Sequence, residues 1–272
     1  SGELRSPTIV PVGRIEISLP GDARFCELFL NFLTGELTVH CERADQDSHF
    51  HLVLDPGQPL CAFEHRGALS AEDIRFVPAF EQMPEKMRDD GFAPPETIRD
   101  EPLYGAYQPL SEDPGPAAGY RLDGQILRVA TTLAESAGQA RVELGSILES
   151  AAESTFQHHV SRSTAYWSAF WDRVPSIRIP NPQLQKLYVY NPYRYGAMTT
   201  PSGVAAGLQG PWIEDYKYPD WASDYHFNIN VQMCYEPGYR AGLHEHFDPL
   251  WNLVDSWTDT LRDIAATFAG AE

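Results

Sequence analysis

Polar and apolar residues alternate one for one near the start of the chain. Arg14, Glu16 and Ser18 interleave with Ile15, Ile17 and Leu19, which is the period of a half-buried strand. Similar runs continue to about Glu64 in RFCELFLNFLTGELTVHC and HFHLVLDPGQPLCAFEH, punctuated by the turns Thr34-Gly35 and Asp55-Pro56-Gly57. The pattern predicts an antiparallel sheet or sandwich. Residues 66–118, rich in proline and acidic groups, carry little periodicity and read as a long insertion of loops. A further strand pair is expected over 119–135, turning at Asp123-Gly124.

After Gln139 the period changes. The next stretch has no proline before Pro175, and Val142, Ile147, Leu148, Ala151 and Phe156 approximate a helical stripe. Residues 183–196 form a tyrosine-rich helix candidate with Pro192 as a kink, followed by a glycine-rich loop over 199–211. From Asp248-Pro249 onward, Leu250, Leu253, Val254, Trp257, Leu261 and Ile264 keep a 3.6-residue period. Strands first and helices afterwards predict a multi-domain β + α chain, with two modules joined near residue 139.

Between the helical segments lies WASDYHFNINVQM, where His226, Asn228 and Asn230 alternate with Phe227, Ile229 and Val231. Residues two apart do not face each other on a helix, whereas an extended backbone puts them on one side. The spacing therefore predicts a short extended run presenting three polar side chains together, with a helix starting near Asn230 and Gln232 extending the polar surface. Each carboxamide offers donors and an acceptor, which suits vicinal hydroxyls. Trp212, Tyr216, Tyr218, Trp221 and Tyr225 stand nearby, and aromatic faces stack on sugar rings as on other flat apolar groups. The candidate ligand is a carbohydrate. In the alternative reading, Asn228 and Asn230 cap the following helix and the aromatics fill a core.

Composition narrows the choice. The chain has 272 residues, 43% of them hydrophobic, and a formal net charge of -18, which repels phosphate backbones and anionic lipid surfaces. Nucleic acid and membrane partners are not expected, and no apolar run approaches the roughly 20 residues a spanning helix needs. The segment GVAAGLQG lacks the phosphate-cradling pattern, so no nucleotide cofactor is expected. Cys26, Cys41, Cys61 and Cys234 include no C-x-x-C pair and read as buried free thiols, with a Cys26–Cys41 disulfide conceivable; no metal is expected from them. His244 and His246 lack a third ligand at familiar spacing and read as solvated or capping. His158 and His159 read as surface residues, and Trp167 and Trp171 as packing. Asp224, Glu236 and Glu245 are the carboxylates nearest the Asn pair, either a local acid and base or structural groups.

The stretch GLQGPWIEDYKYPDWASDYHFNINVQMCYEP, followed by LHEHFDPLWNLV, resembles the catalytic-domain signature of glycoside hydrolase family 95, closely over about residues 207–254. Upstream, YWSAFWDRVPSIRIP looks like that family's linker. The resemblance implies an N-terminal antiparallel β-sandwich over 1–138, a helical linker over 139–180, and from 181 to 272 the first part of an (α/α)6 barrel. The sandwich looks short of a complete one. The implied activity is inverting exo-hydrolysis of α-L-fucosides or related α-L-galactosides. Asn230 would take a proton from the attacking water with help from a distant carboxylate, Asn228 would support that water, and His226 would contact the sugar with Trp221, Tyr225, Trp212 and Gln232 around it. The family's general acid, a Glu, and the Asp that activates the amide come from later barrel helices, so the chain is expected to be part of a longer member. It starts at Ser1 rather than Met, which also suggests a lost segment. Glu236 stands where the family usually has tryptophan, which bears on sugar preference. Rival activities on the same plan are a polysaccharide lyase or a glycoside phosphorylase, and the rival outside enzymes is a non-catalytic carbohydrate-binding protein. The residues leave the compartment open, and the resemblance points toward a secreted or periplasmic one.

Overall fold

The structure is a computed structural model that describes residues 9–19, 21, 23–42, 47–66, 69–211 and 213–270. Among the described residues ten strands come first: β1 (Gly13–Ile17), β2 (Arg24–Asn31), β3 (Glu36–Glu42), β4 (Ser48–Leu54), β5 (Leu60–Arg66), β6 (Ile74–Pro78), β7 (Glu96–Asp100), β8 (Leu103–Tyr107), β9 (Gly115–Asp123) and β10 (Ile126–Ala134). Two short helices, α1 (Ala79–Gln82) and α2 (Pro84–Asp89), interrupt them. Helices then dominate: α3 (Ala137–Ala152), α4 (Phe156–Trp171), α5 (Pro182–Met198), α6 (Asn230–Ala241), α7 (Asp248–Ser256) and α8 (Thr258–Ala269). Among the described residues no helix is long and apolar enough to cross a membrane.

The described residues fall into two compact units. Of the described residues the β unit comprises those within 10–169 and 214–218, and the helical unit Ile9 with those within 170–213 and from 219 onward. Eight strands of the β unit form one antiparallel sheet in the order β2-β3-β4-β5-β10-β9-β8-β7, and β1 pairs with β6 in a separate ribbon. The stretch 66–118, expected as loops, therefore supplies β6, β7, β8 and the start of β9. These pieces escaped the periodicity test because β6, β7 and β8 are only five residues long, and Pro78, Pro95 and Pro102 sit at or beside their ends, where proline is tolerated in a sheet.

α3 starts where the Ser136 side chain accepts the Gln139 N–H at 3.2 Å, an N-cap. Its buried face, Ala140, Leu144, Leu148 and Ala151, packs with Leu60, Ile98, Leu103 and Ala130. The change of character read near Gln139 is thus a change of element, whereas the contact units change over at Phe170. α4 brings Phe156 and Val160 against Val53 and Ala62. It also crosses the β2–β3 turn: Ser163 Oγ donates to Thr34 O at 2.7 Å, and a Cβ on Gly35, whose φ is +68°, would stand 2.3 Å from Trp167 Nε1. Only glycine fits that left-handed position under the indole.

His159 corrects its surface reading. It is buried beside Asp55 (3.6 Å), which Arg162 also pairs at 3.0 Å; a carboxylate carried into the interior by the β4–β5 turn needs such partners. His158 is exposed as expected. All four cysteines are free, and Cys26 is exposed rather than buried. Burial pushes the Cys61 thiol up to about 12.

Candidate functional site

The helical unit builds its site around α6. α5 is capped by Asn181, whose side chain accepts the Gln183 and Leu184 N–H groups, and it runs through Pro192 to Met198. Beyond it the glycine-rich loop acts as a brace. Ala206 N–H donates to Tyr235 Oη on α6 at 2.9 Å, and Tyr225 Oη donates to Ala205 O at 2.9 Å. Leu208 N–H reaches Asp224 O at 3.1 Å. Gly207 lies so close to the next segment that an added Cβ would stand 2.4 Å from Ser223 O. Ala205, Ala206, Val231, Tyr235 and Leu250 form the buried core beneath, with Met198, Phe247 and Val254 against it.

This brace holds an unusual backbone. Trp221, Ala222 and Ser223 all have positive φ, at 49°, 56° and 51°. Side chains other than glycine visit that region at roughly 1–2 kcal/mol each, and such outliers concentrate at functional sites. Ser223 is fully buried and its hydroxyl accepts the Gln209 N–H at 3.4 Å. Trp221, by contrast, is 73% exposed, so its strained position presents an indole to solvent.

The extended run expected over 226–230 is absent. Residues 227–229 form a turn, closed by Val231 N–H donating to His226 O at 3.0 Å. α6 begins at Asn230, where the sequence places a helix start. The turn brings its two ends, His226 and the Asn230–Val231 step, within one hydrogen bond, and puts Asn228 near the tip. Phe227 and Ile229, two of the three apolar members of the alternation, are 40% and 53% exposed. The alternation of polar and apolar residues here therefore does not divide an inner from an outer face.

The predicted site residues have individual settings. His226 is half-buried and its Nδ1 contacts the Asp224 carboxylate. Asn228 and Gln232 are exposed and Asn230 is half-buried at the first position of α6. Tyr225 is half-buried: its ring meets Trp257 edge-on at 5.8 Å and lies 6.2 Å from Phe227. Burial pushes the Tyr225 phenol up, and does the same to Tyr235 against the opposing hydrogen bond from Ala206. Trp212 lies outside the described residues. Tyr216 and Tyr218 belong to the β unit, with Arg14 over the Tyr216 ring and Lys86 over the Tyr218 ring.

The nearby carboxylates are engaged: Asp224 with His226, Glu236 with Arg240 at 3.1 Å, and Glu245 with Arg173. His246 is buried, not solvated, and its Nδ1 lies 3.1 Å from Thr199 Oγ1; desolvation lowers its pKa, with Thr199 opposing. His244 is exposed. Sequence reasoning missed Ser223, Gly207 and Tyr235 as parts of the site. The signal for them was the small-residue run Ala205-Ala206-Gly207, which marks close backbone approach. A cavity of about 440 Å³ in the β unit, between the β7–β8 turn and α3, is lined by Asp100, Arg121, Arg141 and Glu149 among others.

Comparison with known proteins matches residues 149–272 to the Glycosyl hydrolase family 95 catalytic domain. "Probable alpha-fucosidase A" of Aspergillus niger is 38% identical over 85 residues, 31% of this chain and 11% of that protein. "Alpha-L-fucosidase 2" of Arabidopsis thaliana is 28% identical over 122 residues, 45% of this chain and 14% of that protein. The chain thus spans only a small fraction of the length of these relatives. A solved structure described as a kojibiose phosphorylase from the human microbiome overlays 69% of this chain and 30% of its own, with 10% identity and a TM-score of 0.49. The braced loop, the left-handed triplet and the Asn228–Asn230 turn thus all lie in the part of the chain, residues 149–272, that is similar to the glycosyl hydrolase family 95 catalytic domain.

Proposed function

We propose that the chain contributes the water-positioning and sugar-contacting segment of an inverting exo-glycosidase acting on α-L-fucosides or related α-L-galactosides. The observation that carries this reading is the family match over 149–272, which contains both asparagines, together with the names of the two fucosidase relatives. In this reading the protein joins a β-sandwich-like module over 1–138, a linker over 139–180, and from 181 the first helices of an (α/α)6 barrel.

The chemistry follows from the turn. Asn230 opens α6 and Asn228 precedes it by two residues, so a water held by their carboxamides sits at the positive end of a twelve-residue helix. That end favours developing hydroxide character. An amide is a very weak base, so Asn230 works only when a carboxylate polarises it in a desolvated pocket. Asp224, Glu236 and Glu245 are each engaged with a basic side chain, which supports a general acid and an activating Asp supplied from elsewhere in the catalytic domain. Inversion leaves about 6.5–9.5 Å between acid and base for the water. Trp221, exposed on the strained triplet, offers a stacking face for the sugar, and His226 and Gln232 offer polar contacts.

The test is a panel of aryl α-L-fucosides, α-L-galactosides and β-L-arabinosides on the purified protein, with the first-formed anomer of the released sugar read by proton NMR. Release of the inverted anomer is expected. Retention of configuration overturns the mechanism. Sugar binding without turnover replaces it with the non-catalytic reading, which the engaged carboxylates favour among the rivals.

A further inference from the structure

We propose that His40, Asp47 and His49, in the β unit, form a binding site for a divalent transition-metal ion of the zinc class. The site is independent of the Asn228–Asn230 turn and of the glycosidase reading.

Register builds it. His40 on β3 pairs directly with His49 on β4, and directly opposed residues project from the same face with Cβ atoms about 4.5–5.5 Å apart. The two rings stack at 4.6 Å between centroids and 4° between planes. Asp47 enters just before β4, with Oδ2 3.3 Å from His40 Nε2. One ligand atom from each of the three residues lies within 4.8 Å of the other two. Two ligand atoms bound about 2 Å from a tetrahedral ion stand roughly 3.4 Å apart, so the His40–Asp47 separation already fits and the remaining closure is within side-chain rotation.

The chemistry selects the ion. Two imidazoles and one carboxylate suit Zn2+, Ni2+, Co2+ or Cu2+, whereas Ca2+ and Mg2+ favour all-oxygen sets. Three protein ligands leave a fourth position for water. His40 Nε2 is itself buried and makes no hydrogen bond of good geometry, a deficit that a metal bond would remove. Arg66, opposite His49 in the register, is drawn toward Glu64 at 3.8 Å. The formal charge of -18 favours a cation. His51, next on the same face of β4, already contacts Glu36 through Nδ1 at 2.9 Å and is the internal control.

The consequence is a clip. An ion bridging β3 and β4 ties together the half of the sheet where β2 leaves Phe25, Leu28 and Phe29 exposed, and it raises the stability of the β unit with ion concentration.

The experiment uses the purified tag-free protein after dialysis against EDTA, titrated with Zn2+ alone by calorimetry and with Co2+ by visible absorption. One ion per chain, a tetrahedral Co2+ spectrum and a zinc-dependent rise in melting temperature are expected. His49→Gln and Asp47→Asn should weaken uptake by more than the roughly 10–100-fold typical of an outer-shell change, while His51→Gln retains it. Melting without metal identifies folded variants, and Asp47→Asn, at an exposed position, keeps the test available if His49→Gln does not fold. Uptake well below one ion per chain, or uptake untouched by both substitutions, overturns the site.

Discussion

The sheet face under α3 in the β unit and the last two helices of the helical unit rest on equally clear local patterns, yet they bury their apolar residues to different extents. In the β unit α3 covers the sheet, and Leu144, Leu148, Ala117 and Ala130 are essentially inaccessible. In the helical unit α7 and α8 expose Trp251 at 55%, Leu261 at 49%, Ile264 at 48% and Phe268 at 85%, and α8 has no buried residue. A helical stripe predicts which face seeks cover, but only a packed neighbour turns that stripe into stability. The site of the helical unit is stiffened instead by backbone hydrogen bonds and close approach around Ala205–Gly207.

The comparison can be broken by substitution. Leu144→Ala should destabilise the β unit by about 2–5 kcal/mol, as expected for a cavity in a closed core, and chemical denaturation followed by far-UV circular dichroism will read it. In the helical unit the largest single effect should come from the brace. Tyr235→Phe leaves the buried Ala206 N–H without its acceptor, at a loss of about 1–3 kcal/mol, and it should bring increased amide exchange at 205–208.

Acid should act on both units. Desolvation lowers the pKa of His159 in one and His246 in the other, so each is neutral when folded, while the unfolded chain takes up a proton near pH 6.5. Below that pH the unfolded state binds more protons, and stability falls as pH decreases through about 6.5 toward the folded-state pKa. Each histidine contributes at most about 1.4 kcal/mol per pH unit. Melting temperatures from pH 8 to 5 should decline, and His246→Gln should flatten the part of the decline that belongs to the helical unit. The smallest effect sharpens the contrast: Leu261→Ala on the exposed stripe should lie within about 0.5 kcal/mol of the parent, against the multi-kilocalorie loss at Leu144.

Much of the secondary structure was legible. The alternation at Arg14–Leu19, the turns at Gly35 and Gly124 and the start of α6 at Asn230 all rest on local chemistry, and local chemistry is what a sequence displays. β7 and β8 were hidden because five residues between prolines do not establish a period. For the candidate site the sequence displays the residue types but not their conformation. His226, Asn228 and Asn230 keep a period of two, yet the chain reverses there, with Val231 N–H bound to His226 O. That reversal follows from the packing of Val231 and Tyr235 onto Ala205 and Ala206, which alternation does not encode. Likewise the positive φ angles at Trp221–Ser223 lie on residues with no local preference for them, and the brace from Gly207, Leu208 and Gln209 supports them.

The most direct measurement is steady-state kinetics of Asn230→Ala beside the parent protein on an aryl α-L-fucoside. If the amide at the head of α6 helps deprotonate the attacking water, kcat should fall by about 10²–10⁴-fold with KM nearly unchanged. Equal turnover in the variant, or a loss confined to KM, would contradict the role assigned to Asn230.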